Sequence, residues 1–273
     1  MIHLNRNTST SNILGVPFDL VSLDEALTGI ESWRRRGERK YVAFVNPHSV
    51  AMSRRDEGMR TAIEGAAMTL PDGTGVIVAA KLLGYPNAGR ITGPSFMLAC
   101  CDRGRRHGYR HFFCGGQDGV AEALAARLTA RYPGLQIAGT YRPPFRDLSP
   151  GEDEAMVAQI NATKPDIVWV GLGAPKQERW MAAHCGRIEA AAMLGVGAAF
   201  DFHAGTVHWA PPWVRRLGIE WAYRLASEPR RLWRRNLDSF WFLHSAVEQR
   251  IRRIFGLRAP EQTTLARRAA RRR

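Results

Sequence analysis

Three short turns in this sequence combine glycines with side chains able to move a proton or contact a phosphate. They are Pro71-Asp72-Gly73-Thr74-Gly75, Phe113-Cys114-Gly115-Gly116-Gln117-Asp118-Gly119 and Gly171-Leu172-Gly173-Ala174-Pro175-Lys176-Gln177-Glu178. Each turn follows an apolar run and leads into a stretch typical of a helix. Glycines let a ligand approach the backbone, and a helix N-terminus favours an anion such as a diphosphate. The three turns therefore predict a site for a phosphorylated ligand.

Particular side chains in these turns suggest particular chemistry. Asp72 can act as a general base that takes the proton from an attacking hydroxyl. Lys176 can meet a phosphate, and Gln177 can bind a sugar hydroxyl or a base edge. Each turn also has an interpretation without a ligand, because Asp72 suits a turn or a helix cap, and the other two suit a tight turn and a helix start. Spacing alone does not decide between these interpretations.

Metal ligands are sparse in the chain. Asp201, His203 and His208 lie on one short segment with no further ligand cluster near them in sequence, and no Asp-x-Asp pair is present to hold a divalent ion against a diphosphate. The four cysteines show neither a CxxC pair nor a metal-ligand spacing. We therefore expect no metal site and no cofactor.

Apolar runs alternate with helical patterns over the first 205 residues. Val120, Leu124 and Leu128 form one helical stripe. Such alternation predicts a Rossmann-like α/β domain, with a parallel sheet covered by helices on both faces, and ligands then bind at the carboxyl ends of the strands. All three turns fall at that end. The apolar runs that predict strands are 41–45, 67–70, 111–114, 166–170 and 191–197.

The last quarter of the chain is strongly basic. Residues 212–273 contain 16 Arg, no Lys and five acidic residues, so that 11 of the 14 net positive charges lie there. Trp213, Leu217 and Trp221 repeat at four-residue spacing, as do Trp233, Leu237 and Trp241, which predicts two amphipathic helices separated at Glu228-Pro229. The charge indicates a polyanionic partner, either anionic lipid or nucleic acid.

These patterns divide the chain into three parts. We predict an α/β catalytic domain over 1–205, a basic amphipathic helical appendage over 206–258 and a disordered Arg-rich tail over 259–273. The N-terminal residues lack the apolar core of a signal peptide, and no run is long and apolar enough to span a membrane. We therefore expect a cytoplasmic protein that touches the inner face of the plasma membrane peripherally.

Read in order, the motifs of this sequence resemble the WecG/TagA/CpsF family of bacterial glycosyltransferases (glycosyltransferase family 26). The likeness covers roughly residues 14 to 245 in unbroken order. Besides the three turns, the matching segments are Asn46-Pro47, Arg90-Ile91-Thr92-Gly93, Gly195-Val196-Gly197-Ala198-Ala199-Phe200-Asp201, Ala210-Pro211-Pro212-Trp213, Gly218-Ile219-Glu220-Trp221-Ala222-Tyr223-Arg224-Leu225 and Glu228-Pro229-Arg230-Arg231-Leu232-Trp233-Arg234-Arg235.

The resemblance implies a hexosyltransferase of bacterial cell-surface polysaccharide synthesis. Such enzymes move a sugar, of the N-acetylmannosamine type or glucose, from a UDP-sugar to a polyprenyl-diphosphate-linked sugar, with inversion and without a metal. It implies Asp72 as the base, Gln177 in the active site, Asn46 near the substrate, and Arg224 and Arg231 as appendage residues that close the site. The further substrate-binding residues expected are Gly73, Thr74, Gly115, Gly116, Gly171, Gly173 and Lys176.

One departure from the family pattern concerns the donor. Many members have Thr-x-Asn before the first turn, whereas this chain has Phe44-Val45-Asn46, so one hydroxyl contact is missing. The identity of the donor sugar therefore cannot be carried over, and whether the chain forms a homo-oligomer is left open by the sequence.

Two other functional classes share features with this sequence. A nucleic-acid-binding protein would track phosphates with its basic segment, but its tail should be solvated and lysine-bearing, whereas here tryptophans and leucines interleave as in an interfacial helix. A nicotinamide-dependent oxidoreductase should carry the GxGxxG fingerprint and a ribose-binding acid, which are missing. We therefore expect no nucleic-acid partner, with nucleic-acid binding kept as the alternative.

Overall fold

The structure, a computed structural model, describes residues 10–256, apart from the side chains of Thr10 and Arg231. The expected disordered tail therefore lies outside the described residues. Six parallel strands form the main sheet in the order β4-β3-β8-β7-β5-β6, and β1 and β2 form a separate antiparallel hairpin. The strands are β1 (Thr10–Ile13), β2 (Val16–Asp19), β3 (Lys40–Val45), β4 (Met68–Pro71), β5 (Arg110–Gly115), β6 (Gln136–Tyr141), β7 (Ile167–Gly171) and β8 (Ala192–Gly195).

Helices connect the strands and cover both faces of the sheet, which confirms the predicted fold class. In chain order they are α1 (Leu23–Arg36), α2 (Pro47–Ser53), α3 (Glu57–Glu64), α4 (Thr74–Leu82), α5 (Gly93–Arg105), α6 (Val120–Arg131), α7 (Pro150–Ala162), α8 (Lys176–His184), α9 (Ala199–Ala204), α10 (Pro212–Arg216), α11 (Glu220–Ser227) and α12 (Pro229–Ile254).

The central strands are apolar on both sides because each face of the sheet packs against its own hydrophobic cluster. Along β3, Val42 and Phe44 belong to one cluster, while Ala43 and Val45 belong to the other. Successive side chains of a strand point to opposite faces, so a strand covered on both faces becomes a continuous apolar run. This is why the five apolar runs in the sequence predicted β3, β4, β5, β7 and β8.

Three strands were not predicted. β6 forms one edge of the sheet, and its residues are only partly buried or exposed, so it has no apolar run. The hairpin β1–β2 lies beside β4, where the backbone N–H of Thr69 donates to the Asp19 carboxylate at 2.7 Å. Among the described strands, β6 pairs with β5 alone, and the hairpin meets β4 through a contact between residues 50 positions apart, which no local pattern reveals.

The C-terminal segment differs from the two predicted helices at one point. α12 begins at Pro229, as expected, but the segment before it forms two helices, α10 and α11, instead of one. Gly218 lies between them with a φ of 73°, a left-handed conformation that ends a helix and that glycine adopts without strain. The prediction of a single helix through Trp213 and Trp221 was therefore wrong.

The long helix α12 packs directly on the α/β domain. It contacts α2 and α4, and its residues Phe242 and Ala246 are fully buried in the same cluster as Ala43 and Val45. His48 on α2 places Nδ1 2.6 Å from Oδ2 of Asp238 on α12. Among the described helices, none is both long and apolar enough to cross a membrane. The division at residue 205 stays a prediction, since α12 shares a core with the preceding domain.

Candidate active site

A cavity of about 390 Å³ lies at the carboxyl ends of β4, β3, β8 and β7, beneath α11 and α12. In a parallel sheet this edge is where ligands bind, because the strand ends and the following helix N-termini converge there. Seven of the predicted site residues line this cavity: Asn46, Asp72, Gly73, Thr74, Gly173, Gln177 and Arg224. The fold thus brings together residues from four separate parts of the chain.

Asp72 lies directly after β4, with its carboxylate in the cavity. Its backbone N–H donates to the carbonyl of Val45 at 3.0 Å, which fixes the turn beside the end of β3. Gly73, with a φ of 91°, occupies the N-cap position of α4, and no side chain caps this helix. The carboxylate of Asp72 is therefore not used as a helix cap, and the interpretation as a capping residue is wrong.

The surroundings of Asp72 shift the pKa of its carboxyl group to a value suited to proton transfer. Burial, and after it the negative charge of Glu220, raise the pKa of Asp72, while Arg90, Arg224 and Arg235 lower it, and the net result is a pKa of about 6. A general base is most effective when its pKa lies near the operating pH. The site therefore contains a carboxylate that ionises close to neutrality.

Asn46 follows β3 and begins α2. Its Oδ1 accepts hydrogen bonds from the backbone N–H of Ser49 at 3.0 Å and from the Ser49 hydroxyl at 3.3 Å. Because Oδ1 serves as the cap, the amide NH₂ is the group left to meet a ligand. Phe44, the residue at which this chain departs from the Thr-x-Asn pattern, also lines the cavity and packs edge-on against Phe96. An aromatic wall thus stands where the resemblance led us to expect a hydroxyl.

Gln177 presents a fixed hydrogen-bond acceptor at the base of the cavity. Its Nε2 donates to Oε1 of Glu178 at 2.9 Å and to the carbonyl of Gly195 at 3.1 Å, which settles the orientation of the amide. The Oε1 of Gln177 is buried and has no hydrogen-bond partner within the described residues. A buried carbonyl oxygen without a partner is costly, so this atom is suited to accept from a ligand hydroxyl or N–H.

Glu178 helps to hold the amide of Gln177 in this orientation by accepting its hydrogen bond. It is 1% exposed, and burial raises its pKa. Its Oε2 also has no hydrogen-bond partner in the described part of the chain. Gln177 and Glu178 therefore form a buried polar pair. Their unpaired oxygens, Oε1 of Gln177 and Oε2 of Glu178, are left to accept hydrogen bonds from a ligand in the cavity.

We expect Gln177→Leu to lower kcat/KM by about 10- to 100-fold, the loss that follows when a charged or strongly polarised ligand group loses one hydrogen bond. The substitution removes an unpaired buried oxygen, but it also removes the donor to Oε1 of Glu178 and to the carbonyl of Gly195, so we expect a lower melting temperature as well. Steady-state kinetics with thermal melting would measure both effects. Gln159→Leu, the same change at an exposed position on α7, is the matched control. Equal kinetics for the two variants would exclude Gln177 from ligand binding.

The C-terminal helices close the cavity through specific contacts. The Thr74 hydroxyl donates to the carbonyl of Gly218 at 2.7 Å, and Nη2 of Arg90 donates to the carbonyl of Arg215 at 2.8 Å. The Thr74 hydroxyl, which the sequence assigned to substrate binding, therefore bonds to the segment between α10 and α11. This hydrogen bond positions α11, and with it Arg224, above the strand ends.

Arg224 reaches into the cavity from α11. Its guanidinium carbon lies 5.2 Å from the centre of the Phe202 ring, and its Nε is buried without a hydrogen-bond partner in the described residues. The predicted partner Arg231 cannot be placed, because its side chain lies outside the described residues. Arg224 is thus a cation held over the cavity with donor capacity left for an anion.

Four of the predicted residues lie apart from the cavity lining. A Cβ on Gly115 would lie 2.7 Å from the Gly171 carbonyl, and a Cβ on Gly171 would lie 2.7 Å from the Phe200 ring. Gly116 also faces Phe200, and its N–H donates to the Gly171 carbonyl at 3.1 Å. These glycines permit close packing of Phe200 beneath the strand ends. Lys176 is exposed at the start of α8. Ligand contacts by these four residues stay predictions.

Several cavity residues were not singled out from the sequence as site residues. Arg90 and Glu220 approach each other at 3.8 Å beside Asp72, and Arg235 comes from α12. Arg90 and Glu220 stand within the matching motifs, but no spacing rule joins residues so far apart in the chain. In the portion of the chain that the structure describes, no cluster of His, Cys, Asp and Glu could hold a metal ion.

Known proteins resemble this chain over most of its length. A family model described as "Glycosyl transferase WecG/TagA/CpsF family" matches residues 11–255. Proteins of Staphylococcus aureus strains MW2 and NCTC 8325 / PS 47 are each 31% identical to this chain over 250 residues, which cover 90% of this chain and 96% of the relative. Both are named N-acetylglucosaminyldiphosphoundecaprenol N-acetyl-beta-D-mannosaminyltransferase. The family match includes every residue that lines the cavity.

Proposed function

Since the chain belongs to the WecG/TagA/CpsF family of glycosyl transferases, we propose that it moves a sugar from a UDP-sugar to a polyprenyl-diphosphate-linked N-acetylglucosamine. The donor sugar is of the N-acetylmannosamine type, with glucose as the second choice. The observation that carries the proposal is the Asp72 carboxylate, which faces a cavity that also holds three arginines.

The proposed reaction is a single displacement. Asp72 accepts the proton of the acceptor hydroxyl, whose oxygen forms a bond to C1 of the donor sugar. The bond between C1 and the β-phosphate oxygen breaks at the same time, and UDP leaves with the electron pair. Attack opposite the leaving group inverts the configuration at C1. One base and one stabilised leaving group are sufficient for this chemistry.

Charges in the cavity suit the departing UDP. Arg224 on α11 and Arg235 on α12 line the same cavity as Arg90. The uncapped N-terminus of α4, beginning after Gly73, adds backbone N–H groups and the positive end of a helix dipole. Donors that are already in place when negative charge develops on the leaving group lower the barrier without reorganisation. No metal is needed in this arrangement.

Turnover of a panel of UDP-sugars with a synthetic polyprenyl-diphosphate N-acetylglucosamine acceptor tests the proposal. We expect transfer from UDP-N-acetylmannosamine, with a β linkage in the product by NMR. Transfer from no UDP-sugar, or a retained anomeric configuration, would contradict it.

Because Asp72 must be ionised to act as the base, activity should depend on pH in the acidic range. The pKa of about 6 predicts that kcat/KM falls as the pH drops below 6 and levels off above it. Glu220→Gln removes a negative charge that raises the pKa of Asp72, so this limb should move to lower pH. If the acidic limb of the pH–rate profile stays at the same pH in Glu220→Gln, it reflects the ionisation of a group other than Asp72.

We also expect activity to persist in excess EDTA, since arginines and a helix N-terminus neutralise the leaving group in the proposed mechanism. The assay compares initial rates before and after chelation, with magnesium and manganese added back. Loss of activity with rescue by either ion would show that a metal holds the diphosphate.

The C-terminal helices supply the proposed contact with the inner face of the plasma membrane. Trp213, Leu217, Trp221, Trp233 and Leu237 are all exposed on α10 to α12 or between them, among many arginines. Aromatic and aliphatic side chains enter the membrane interface, and each basic residue near anionic lipid adds on the order of 1 kcal/mol at most. Docking there would bring the cavity to a polyprenyl-linked acceptor.

A further inference from the structure

A second cavity, which we call the outer chamber, opens next to the active site. It has a volume of about 320 Å³ and is bordered by Arg90, Thr92, Ser95, Arg215, Arg216 and Glu220, together with Pro212. Arg90, Thr92 and Glu220 also line the active-site cavity. The two spaces therefore meet at a shared wall, which these three residues form.

The outer chamber is positively charged and partly preorganised. It has three arginines and one glutamate. Arg215 is held in place, because its Nε donates to the carbonyl of Ala210 at 3.0 Å and its guanidinium carbon lies 3.7 Å from the centre of the Trp209 ring. Arg216 is exposed and makes no ion pair with any of the described residues. A fixed guanidinium beside a free one is a good receptor for a phosphate group.

The position of the outer chamber relative to Asp72 indicates which phosphate it would take. The charges of Glu220 and Arg90 act on the Asp72 carboxyl, so the shared wall lies close to the base. The acceptor hydroxyl must reach Asp72, while UDP must depart from the opposite side of the donor carbon. In the proposed reaction, a group attached to the far side of the acceptor sugar points away from UDP, so a basic space close to Asp72 but outside the reaction cavity suits it.

Exposed apolar residues adjoin the chamber residues of α10 along the chain. Trp213 is 62% exposed and Leu217 is 66% exposed, and both flank the two arginines of α10. A charged chamber next to exposed apolar side chains fits a ligand with a phosphate head and an isoprenoid tail. Neither feature alone would select such a ligand.

We propose that the outer chamber binds the diphosphate of the lipid-linked acceptor, with the isoprenoid chain leaving past Trp213 and Leu217. This inference rests on the proposed function for the identity of the acceptor, but the binding site itself does not depend on turnover. The two net positive charges of the chamber match the two negative charges of a diphosphate diester.

Ser95 offers a substitution that changes the chamber without weakening the fold. It is the third residue of α5, and its backbone N–H donates to the hydroxyl of Thr92, the N-cap residue. A Glu or Gln at this position completes a capping box, so both Ser95→Glu and Ser95→Gln should fold well. They differ only in the negative charge placed in the outer chamber, and Ser95→Gln is therefore the matched control.

The experiment measures binding of farnesyl diphosphate and of UDP to each protein by calorimetry. We expect Ser95→Glu to weaken farnesyl diphosphate binding by about tenfold or more, as like charges brought together do at an interface, and to leave UDP binding little changed. Ser95→Gln, which adds the same bulk without the charge, should weaken farnesyl diphosphate binding much less than Ser95→Glu does. An equal loss for UDP would assign the chamber to the donor, and unchanged farnesyl diphosphate binding would overturn the inference.

Arg216→Glu provides a second, independent test of the outer chamber. It should weaken farnesyl diphosphate binding more than Arg230→Glu, the same charge reversal at an exposed residue near the start of α12 that borders neither cavity. Equal losses would mean that diffuse charge attracts the probe and would overturn the site. Ser95-dependent binding without any sugar transfer would overturn the proposed function and leave the chamber as a prenyl-diphosphate site.

Discussion

Asp72→Asn is expected to lower kcat by about 10²–10⁴-fold, the range for loss of an acid–base group, while UDP binds almost as well as before. The carboxylate faces the cavity, is not used in capping α4, and ionises near neutral pH. Asparagine keeps the size and the backbone contact to Val45 but cannot accept the proton. Affinity for UDP should be preserved, because the arginines of the cavity remain.

The measurement pairs single-turnover kinetics with calorimetric titration of UDP. Asp118→Asn is the control, since Asp118 is an exposed carboxylate whose ion pair with Arg142 lies outside the cavity. Near-normal turnover in a folded Asp72→Asn protein would remove Asp72 from the mechanism. Loss of UDP binding together with turnover would indicate a role in holding the donor.

Arg224→Ala is expected to lower kcat by about 10²–10³-fold, as removal of a preorganised donor at a developing negative charge does. The Arg224 guanidinium lies over Phe202, and its buried Nε has no hydrogen-bond partner in the described residues. Its donor capacity is thus directed at the cavity. Binding to anionic vesicles should change little, because many other arginines remain on the C-terminal helices.

The two properties are best measured on the same preparations, by an activity assay and by co-sedimentation with phosphatidylglycerol vesicles. Arg234→Ala is the matched control, since it removes the same charge from an exposed position on α12 outside the cavity. Parallel loss of vesicle binding and turnover in Arg224→Ala would make Arg224 a membrane anchor. Full activity in that variant would exclude it from stabilising the leaving group.

The sequence predicts the centre of the fold well because burial there leaves a simple pattern. β3 and β7 are covered on both faces, and each is a continuous apolar run followed by a glycine-containing or polar turn. β6 has the same conformation at the edge of the sheet but no such run, since its residues are only partly buried or exposed. The hairpin β1–β2 depends on Asp19 reaching Thr69, a contact that periodicity cannot reveal.

The candidate site was only partly accessible to sequence reasoning. Asp72 and Gln177 were found because each stands in a turn at a strand end, and the fold brings these ends together. Glu220 was not found, because its effect on Asp72 arises only when Gly218 redirects the chain between α10 and α11. Gly115 and Gly171 were predicted to bind substrate, but another explanation accounts for their being glycine. They pack closely against one another, and Gly171 packs against Phe200, which leaves no room for a side chain.

The packing of α12 on α2 and α4 makes ligand binding and helix docking coupled equilibria. The α/β domain contributes Asn46 and Asp72 to the lining of the cavity, and the C-terminal helices contribute Arg224 and Arg235. A nucleotide that touches both sets of residues strengthens the attachment of the C-terminal helices by the same free energy that those helices add to its binding. Any mutation that loosens Phe242 from its buried position should therefore shorten the residence time of the nucleotide, although Phe242 itself does not line the cavity.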